Sequence, residues 1–359
     1  MSSFSIKKVL VWPLQATLHQ PFRIATGVHD HLENIFVSIE LADGSKGYGE
    51  AAVATHITGE TIEDTLKNLQ ACAPWLEGQA ATDYLKISAH LHERLSSNHC
   101  ALAAVEMALF DALTRSLRIP LWRLWGTKPQ RLHSDITMVI ASLEETREKA
   151  QHFYKQGFRS FKIKIGNDQD LNFQRIQAVK KSVRRSKIIL DTNQSSTALE
   201  TVSFIKALNR VGIVPDLLEQ PVPKEDWEGL QKIGRDTKVC VCADESASTL
   251  ENVITLIKKK MVGAINIKLM KTGLVHALEI SHWAKAHDMK LMIGGMLESN
   301  LAMTASAHMA AALGCFDFID LDTPFFIKGE VPRNPFLSDD GIYDLSTVKA
   351  GIGITPKKN

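Results

Sequence analysis

No run of one kind dominates this chain of 359 residues. No window approaches the roughly 18 consecutive apolar residues of a membrane-spanning helix, so a transmembrane segment is not expected. Charge is close to balance, with 42 Lys and Arg against 40 Asp and Glu for a net +2. There is no long stretch of one sign and no basic stripe interleaved with aromatics, which argues against nucleic acid or a membrane surface as a partner. The cysteines, Cys72, Cys100, Cys240, Cys242 and Cys315, are odd in number and show no CxxC spacing, so neither a disulfide framework nor a thiolate metal site is expected. "CVC" at 240 to 242 reads instead as two small apolar side chains on one strand face, in a reduced cytoplasmic setting. The opening "MSSFSIKKVLVWPLQ" has a short apolar run and no small-residue cleavage site, and is not expected to be a secretory signal. A GxGxxG is also missing, which weighs against a dinucleotide site.

What is present is a 45% hydrophobic composition, ample for a large core. The length allows two or three domains, or one barrel with an addition. Two rhythms divide the chain. The first 60 residues read as strands and turns, with "ADGS" a hairpin turn between alternating runs. "PFRIATGVHDHLE", polar and Gly-containing, reads as a mobile loop. Helical periodicity follows to about 125, clearest over Cys100 to Leu117. These segments predict an α+β capping domain over residues 1–126, with a lid loop at about 21–32.

After that, short apolar runs, each followed by a helical stretch, begin at residues 133, 161, 188, 216, 241, 264, 291 and 317. Successive starts lie 23 to 28 residues apart, the period of a βα unit. Eight such strands without a GxGxxG favour a closed parallel barrel over an open sheet. The barrel is expected over 127–325, and the Pro- and Gly-containing segment 326–359 is expected to return to the cap.

Polar residues at the C-terminal ends of barrel strands build active sites. Here each successive run ends on one or more: Lys162 and Lys164, Asp191 and Asn193, Glu219, Asp244 and Glu245, Lys268, then Asp320 and Asp322. A single Asp after a strand is usually a helix cap; repetition strand after strand weakens that explanation. Asp191, Glu219 and Asp244 supply three hard oxygen donors with no His or Cys, which suits magnesium or manganese. The alternative is a set of structural ion pairs with neighbouring lysines. Lys162 and Lys164 come from the second strand and Lys268 from the sixth, on opposite sides of an eight-stranded barrel. Near a divalent cation and a second ammonium, a lysine is expected to have its pKa lowered toward neutrality and to act as a base. Two such bases could remove a proton from one face of a carbon and return it on the other, as a racemase or epimerase does. A metal and Lys162 would stabilise the enolate formed between the two transfers.

With these residues in place, the chain resembles the enolase superfamily, in its muconate-lactonizing subgroup, across nearly its whole length. "FKIKIG", "LDTNQ", "LLEQP", "CADES", "INIKLMKTG" and, in the cap, "AAVEMALFDAL" carry the resemblance. It implies an α/β fold, a modified TIM barrel of (β/α)7β type with an N-terminal α+β capping domain. It also implies one magnesium ion per subunit, with manganese as substitute, on Asp191, Glu219 and Asp244. Lys164 and Lys268 would be the acid/base pair, Lys162 the enolate stabiliser, and Asn193 and Glu245 supporting residues. The loop at about 21–32 would close over substrate, and a homo-oligomer is expected.

"DFIDLDTP" resembles the DxD signature of the dipeptide epimerases, in which Asp320 and Asp322 would share one strand face and bind the substrate's α-ammonium. Two carboxylates so placed need a cation in any case; the alternative is a structural Arg or Lys. Thr137, Gly295, Leu297 and Glu298 are expected to line the dipeptide pocket, Glu298 equally as a support bonded to a lysine. Thr192, Ser195 and Leu274 depart from the family pattern beside the catalytic positions and bear on substrate shape. No Arg follows Arg23 in "IATGVHD", where Ala-Glu epimerases pair the substrate glutamate. A neutral or hydrophobic C-terminal residue is therefore expected, with a cationic one, attracted by Asp30 or Glu33, as second choice. The competing readings are an o-succinylbenzoate synthase or cycloisomerase, a Schiff-base lyase, and a non-catalytic barrel that binds small metabolites.

Overall fold

The computed structural model describes residues 2–25, 27–329 and 332–357. Strands β1 (Ile6–Ile24), β2 (Gly27–Leu41) and β3 (Lys46–Ala52) form an antiparallel meander. Helices α1 (Thr55–Thr58), α2 (Ile62–Leu76), α3 (Tyr84–Arg94) and α4 (His99–Ser116) follow. Helix α4 is buried at every position from Cys100 to Thr114, so it is a central element rather than a one-faced surface helix. Strand β3 lies so close to it that a Cβ at Gly47 or Gly49 would run into the α4 backbone, which explains glycine at both positions of "KGYGE".

The segment read as a mobile loop is instead the end of a long hairpin. Phe22 pairs with His29, Arg23 with Val28 and Ile24 with Gly27, after a register shift beyond Thr17. Its polar appearance comes from a hairpin that extends past the core, so that one face meets the barrel and the other meets water. Thr26 lies outside the described residues.

The barrel follows the anticipated alternation. After β4 (Leu132–His133) come β5 (Ile136–Met138), α5 (Leu143–Gln156), β6 (Ser160–Lys164), α6 (Gln169–Ser182), β7 (Lys187–Asp191) and α7 (Ala198–Arg210). Then come β8 (Leu217–Glu219), α8 (Trp227–Thr237), β9 (Val241–Ala243), α9 (Leu250–Lys258), β10 (Ala264–Lys268), α10 (Leu269–Ala286), β11 (Lys290–Gly294), α11 (Asn300–Leu313) and β12 (Phe318–Ile319). Strands β5 to β12 form one parallel sheet in chain order, and Asp135 N donates to Ile319 O at 2.8 Å, joining its two edges. Capping boxes at Ser142 with Glu145 and at Thr197 with Glu200 start α5 and α7. Among the described residues no α-helix follows β12. The chain turns into β13 (Ile327–Lys328), which pairs with β1, and β14 (Ile342–Tyr343) pairs with β4. Among the described residues no helix is long and apolar enough to cross a membrane.

Six consecutive strands each contribute one side chain to an apolar layer of Ile189, Leu217, Cys242, Ala264, Met292 and Phe318. Two residues further along each strand lie Asp191, Glu219, Asp244, Asn266, Gly294 and Asp320. Because side chains alternate with period two, these face the same interior one layer nearer the strand ends. The apolar layer is thus the floor of the polar one, and "CVC" contributes Cys242 to it with Cys240 packed alongside.

Arg175 on α6 is fully buried without a carboxylate partner in its bonds. It donates to Thr146 Oγ1 at 3.1 Å, Lys164 O at 2.9 Å, Val139 O at 2.7 Å and Met138 O at 3.4 Å. Burial pulls its pKa down to about 10. Arg175→Met strips those carbonyls of their donor, and urea denaturation is expected to show a loss of about 3–5 kcal/mol.

Candidate active site

Strands β6 and β10 are four positions apart in a sheet of eight, so Lys164 and Lys268 approach the interior from opposite sides, with β7, β8 and β9 between them. Register places Lys164 beside Asp191 and Asp191 beside Glu219. The geometry that follows is an ionic lattice. Lys164 Nζ lies 2.6 Å from Asp191 Oδ2 and 3.2 Å from Asn193 Oδ1. Lys162 Nζ lies 2.7 Å from Glu219 Oε2, 3.2 Å from Asp191 Oδ2 and 2.7 Å from Asp320 Oδ2. On the far side, Lys268 Nζ is 2.7 Å from Asp244 Oδ2, and Lys271 Nζ is 2.7 Å from Asp244 Oδ1. All of these side chains are buried.

Burial would lower the Lys162 and Lys268 ammonium groups, but the carboxylates outweigh it. Asp320, Glu219 and Asp191 push Lys162 well up, and Asp244 and Glu219 do the same for Lys268. The expected drop toward neutrality presupposes a bound divalent cation; with the carboxylates alone as neighbours, both ammonium groups are held up. Burial opposes ionisation of Asp191, yet Lys164 and Lys162 hold it at about 2. Glu219 is lifted to about 7 by burial and by repulsion from Asp191. Glu245 is lifted to about 8 by burial and by Asp244. Asp191 and Asp244 each meet two lysines, whereas Glu219 meets Lys162 alone, so Glu219 is the member of the set left short of positive charge. Glu219 Oε2 meets Lys162 as an ion pair but accepts no directed hydrogen bond. A hard divalent cation fits that donor set.

Asp320 and Asp322 come together, though not on one strand face. β12 ends at Ile319, and Asp322 has φ −98° and ψ −7° at the start of a 3₁₀ turn. Among the described residues, one oxygen from each of them and one from Asp135 lie within 4.8 Å of one another. This triad, rather than Asp191, Glu219 and Asp244, is the tightest carboxylate cluster, but it is the poorer metal set. Burial and the other two aspartates push Asp135 well above the carboxylate range, and burial with Asp320 lifts Asp322 to about 7. Thr137 N already donates to Asp322 Oδ2 at 2.5 Å. A partly protonated cluster of acceptors suits an ammonium, which carries its own hydrogens.

Above the lattice is a cavity of about 260 Å³, lined by Thr137, Lys162, Lys164, Asn193, Lys268, Gly295, Leu297, Asp320 and Asp322. The hairpin roofs it with Phe22, Ile24, Val28, His29, Asp30, His31, Leu32 and Glu33, and Ile57 and Ile62 close one side. Asp30 bonds His31, and Glu33 accepts from Gln15 at 3.1 Å, so the carboxylates expected to attract a cationic side chain have partners on the hairpin itself. Glu298 lies beneath the lining. It accepts from Met296 N at 2.8 Å rather than bonding a lysine, and burial lifts it to about 8.

Sequence reasoning passed over three residues. Asp135 stands two residues before Thr137 and immediately before the strand Ile136–Met138, and a buried-strand neighbour of that kind was a usable signal. Asn266 Nδ2 orients Glu219 Oε1 at 2.9 Å, and its position two before Lys268 also carried a signal. Lys271 follows the strand, and nothing in the pattern placed it on Asp244.

Residues 6–126 match the model of the mandelate racemase / muconate lactonizing enzyme N-terminal domain, and residues 145–359 match that of the enolase C-terminal domain-like family. The chain is similar to a hydrophobic dipeptide epimerase of Citrifermentans bemidjiense, with 45% identity over 99% of each chain. It is also similar to an aromatic dipeptide epimerase of Herpetosiphon aurantiacus, with 34% identity over 98% of each chain. Among solved structures, the dipeptide epimerase from Enterococcus faecalis in complex with Mg and L-Leu-L-Tyr superposes with a TM-score of 0.93 at 32% identity, covering 98% of this chain and 99% of that one.

Proposed function

The chain belongs to the mandelate racemase / muconate lactonizing enzyme family of the enolase superfamily, and on that premise we propose that it is a magnesium-dependent epimerase of hydrophobic dipeptides. The observation that carries the reading is the opposition of Lys164 on β6 and Lys268 on β10 across a cavity whose far wall holds Asp320 and Asp322. A carbon held between the two amines can be deprotonated on one face and reprotonated on the other.

Asp191, Glu219 and Asp244 would hold the ion. It would neutralise the substrate carboxylate and the negative charge that grows on it as the α-proton leaves. The chain's own groups do the rest. Asp320 and Asp322 fix the α-ammonium of the first residue, which sets the α-carbon of the second between the lysines. Lys164 takes the proton on its side, and Lys268 delivers one from the opposite side; the reverse sequence restores the starting epimer. Lys162, between Glu219 and Asp320, faces the developing enolate. Asn193 steadies Lys164, and Glu245 supports the Asp244 side. Thr137, Gly295 and Leu297 shape the cavity around the dipeptide, with Glu298 behind them. The roof of Phe22, Ile24, Val28 and Leu32 offers apolar contact and no arginine, which favours an uncharged C-terminal side chain. The capping unit 1–126 thus selects, the barrel 127–325 reacts, and the segment 326–359 ties them together. The five free cysteines suit a reduced cytoplasm.

The test is substrate selectivity in Asp322→Asn. The Asn oxygen can still accept from Thr137 N, so the fold is kept while a charged acceptor is lost. The kcat/KM for a free dipeptide is expected to fall about 10- to 100-fold, the worth of a charged hydrogen bond, mostly through KM. An unchanged KM would return the DxD pair to a structural role and favour a cycloisomerase.

A further inference from the structure

The motif "AAVEMALFDAL" in α4 carries two fully buried carboxylates that the chemistry above does not use, Glu106 and Asp111. Asp111 accepts from Tyr48 N, Ile352 N and Arg115 Nε, tying β3 and the C-terminal segment to the cap. Glu106 reaches the barrel. Its Oε1 accepts from Ser88 Oγ, and its Oε2 accepts from Leu274 N at 2.5 Å and Val275 N at 3.1 Å.

Those two amides matter because α10 is two helical pieces. Gly273, at φ 68° and ψ −177°, breaks it, and a Cβ there would collide with the side chains of Leu102 and Glu106. The second piece therefore begins at Leu274 with amides that have no partner within the helix, and Glu106 caps them from another unit of the fold. The first piece is the short stretch from Leu269 to Thr272. Just before it stands Lys268, and inside it Lys271 donates to Asp244 O, Asp244 Oδ1 and Asn266 O. One end of this stretch is held by β10 and the other by Glu106, and between them Met270 Sδ accepts from Ala52 N of β3 at 3.3 Å. Lys164, by contrast, is framed by barrel residues: Asp191, Asn193 and, through its carbonyl, Arg175.

We propose that Glu106 is a positioning residue for Lys268: this cap carboxylate fixes the C-terminal end of the segment that aims Lys268 and Lys271 at Asp244, so that one of the two bases is placed by the cap and the other by the barrel. The inference rests on the epimerase reading. The same device recurs at Glu50, which accepts from Ser299 N and Oγ and from Ala302 N at the start of α11, beyond Leu297 and Glu298.

The experiment uses the magnesium-loaded enzyme with L-Leu-L-Tyr in deuterated water, and measures α-deuterium uptake and formation of the second epimer separately. Uptake without inversion needs only one lysine, which removes a proton and returns a deuteron on the same face; inversion needs both. Glu106→Gln is expected to lower inversion about 10- to 100-fold more than it lowers uptake from the epimer whose α-proton faces Lys164, the scale of a displaced catalytic group. Glu106→Asp, with the same charge one methylene shorter, is expected to fall between, and is read by the same criteria if Glu106→Gln does not fold. Glu50→Gln is expected to raise KM and leave the ratio of inversion to uptake near the parent value. Equal losses of inversion and uptake in Glu106→Gln, no loss, or an equal change of ratio in Glu50→Gln would overturn the proposal. Failure of the parent enzyme to exchange any dipeptide would instead remove the epimerase reading. Amide exchange over residues 268–275, measured by mass spectrometry, would then decide for Glu106: faster in Glu106→Gln upholds its hold on the segment, and unchanged rates refute it.

Discussion

Lys268→Met is expected to abolish inversion while leaving deuterium exchange alive in one epimer. Methionine keeps the length of the stem and removes the ammonium, and Asp244 retains Lys271 at 2.7 Å as a counter-charge, so the lattice is not left with a naked carboxylate. Lys164 and its contacts to Asp191 and Asn193 lie on the other side of the barrel and are untouched. A positioned general acid or base is worth roughly 10²- to 10⁴-fold, and net epimerisation should fall by at least that factor. The epimer whose α-proton faces Lys164 should still exchange, at a rate within an order of magnitude of the parent enzyme. Lys164→Met should give the mirror result with the other epimer. If either variant lost exchange from both epimers equally, one lysine would be serving both faces and the two-base reading would fail. Nuclear magnetic resonance of the α-proton, started separately from each epimer, makes the distinction.

The second large effect is expected at Glu219. Its carboxylate is fully buried, held by Asn266 Nδ2 on one oxygen and facing Lys162 on the other. Glu219→Gln preserves shape and removes the charge that the central member of the donor set contributes. Paramagnetic titration with Mn²⁺ is expected to find one tight site per subunit in the parent enzyme and none in Glu219→Gln. A ligand at 100 times its Kd stabilises the folded state by about 2.7 kcal/mol, so Mg²⁺ should raise the melting temperature of the parent and not of the variant. Chelation should remove parent activity, and Mg²⁺ or Mn²⁺ should restore it. Tight Mn²⁺ binding retained in Glu219→Gln would move the ion elsewhere, with Asp135, Asp320 and Asp322 as the alternative donors.

Much of this arrangement is legible from periodicity. A βα repeat of 23 to 28 residues requires parallel strands, and the period of two along each strand requires "FKIKIG" to show both lysines to one side. From these follow the barrel, the opposition of Lys164 and Lys268, and the placing of Asp191, Glu219 and Asp244 at the ends of three successive strands. The hairpin at 22–29 was misread because its apolar residues face a barrel that is distant in sequence, and local composition shows only its polar side. Lys271 and Asn266 were missed for a related reason. Their partners are Asp244 and Glu219, and neither pairing has a sequence spacing of its own.

The sequence by itself determined the order of elements, the face on which each strand carries its charge, and hence the kind of chemistry the barrel mouth supports. Local hydrogen bonding and side-chain alternation act over a few residues, so a pattern in the chain suffices to express them. Only the tertiary structure decided which lysine meets which carboxylate, how Asp135 comes to lie against Asp320 and Asp322, and that Glu106 and Glu50 cap helices of a barrel they do not belong to. The pairings of Asp135, Glu106 and Glu50 join residues more than a hundred positions apart. A carboxylate bonds whatever donor packing brings within 3 Å or so, and nothing local to α4 says that the donor is Leu274 N.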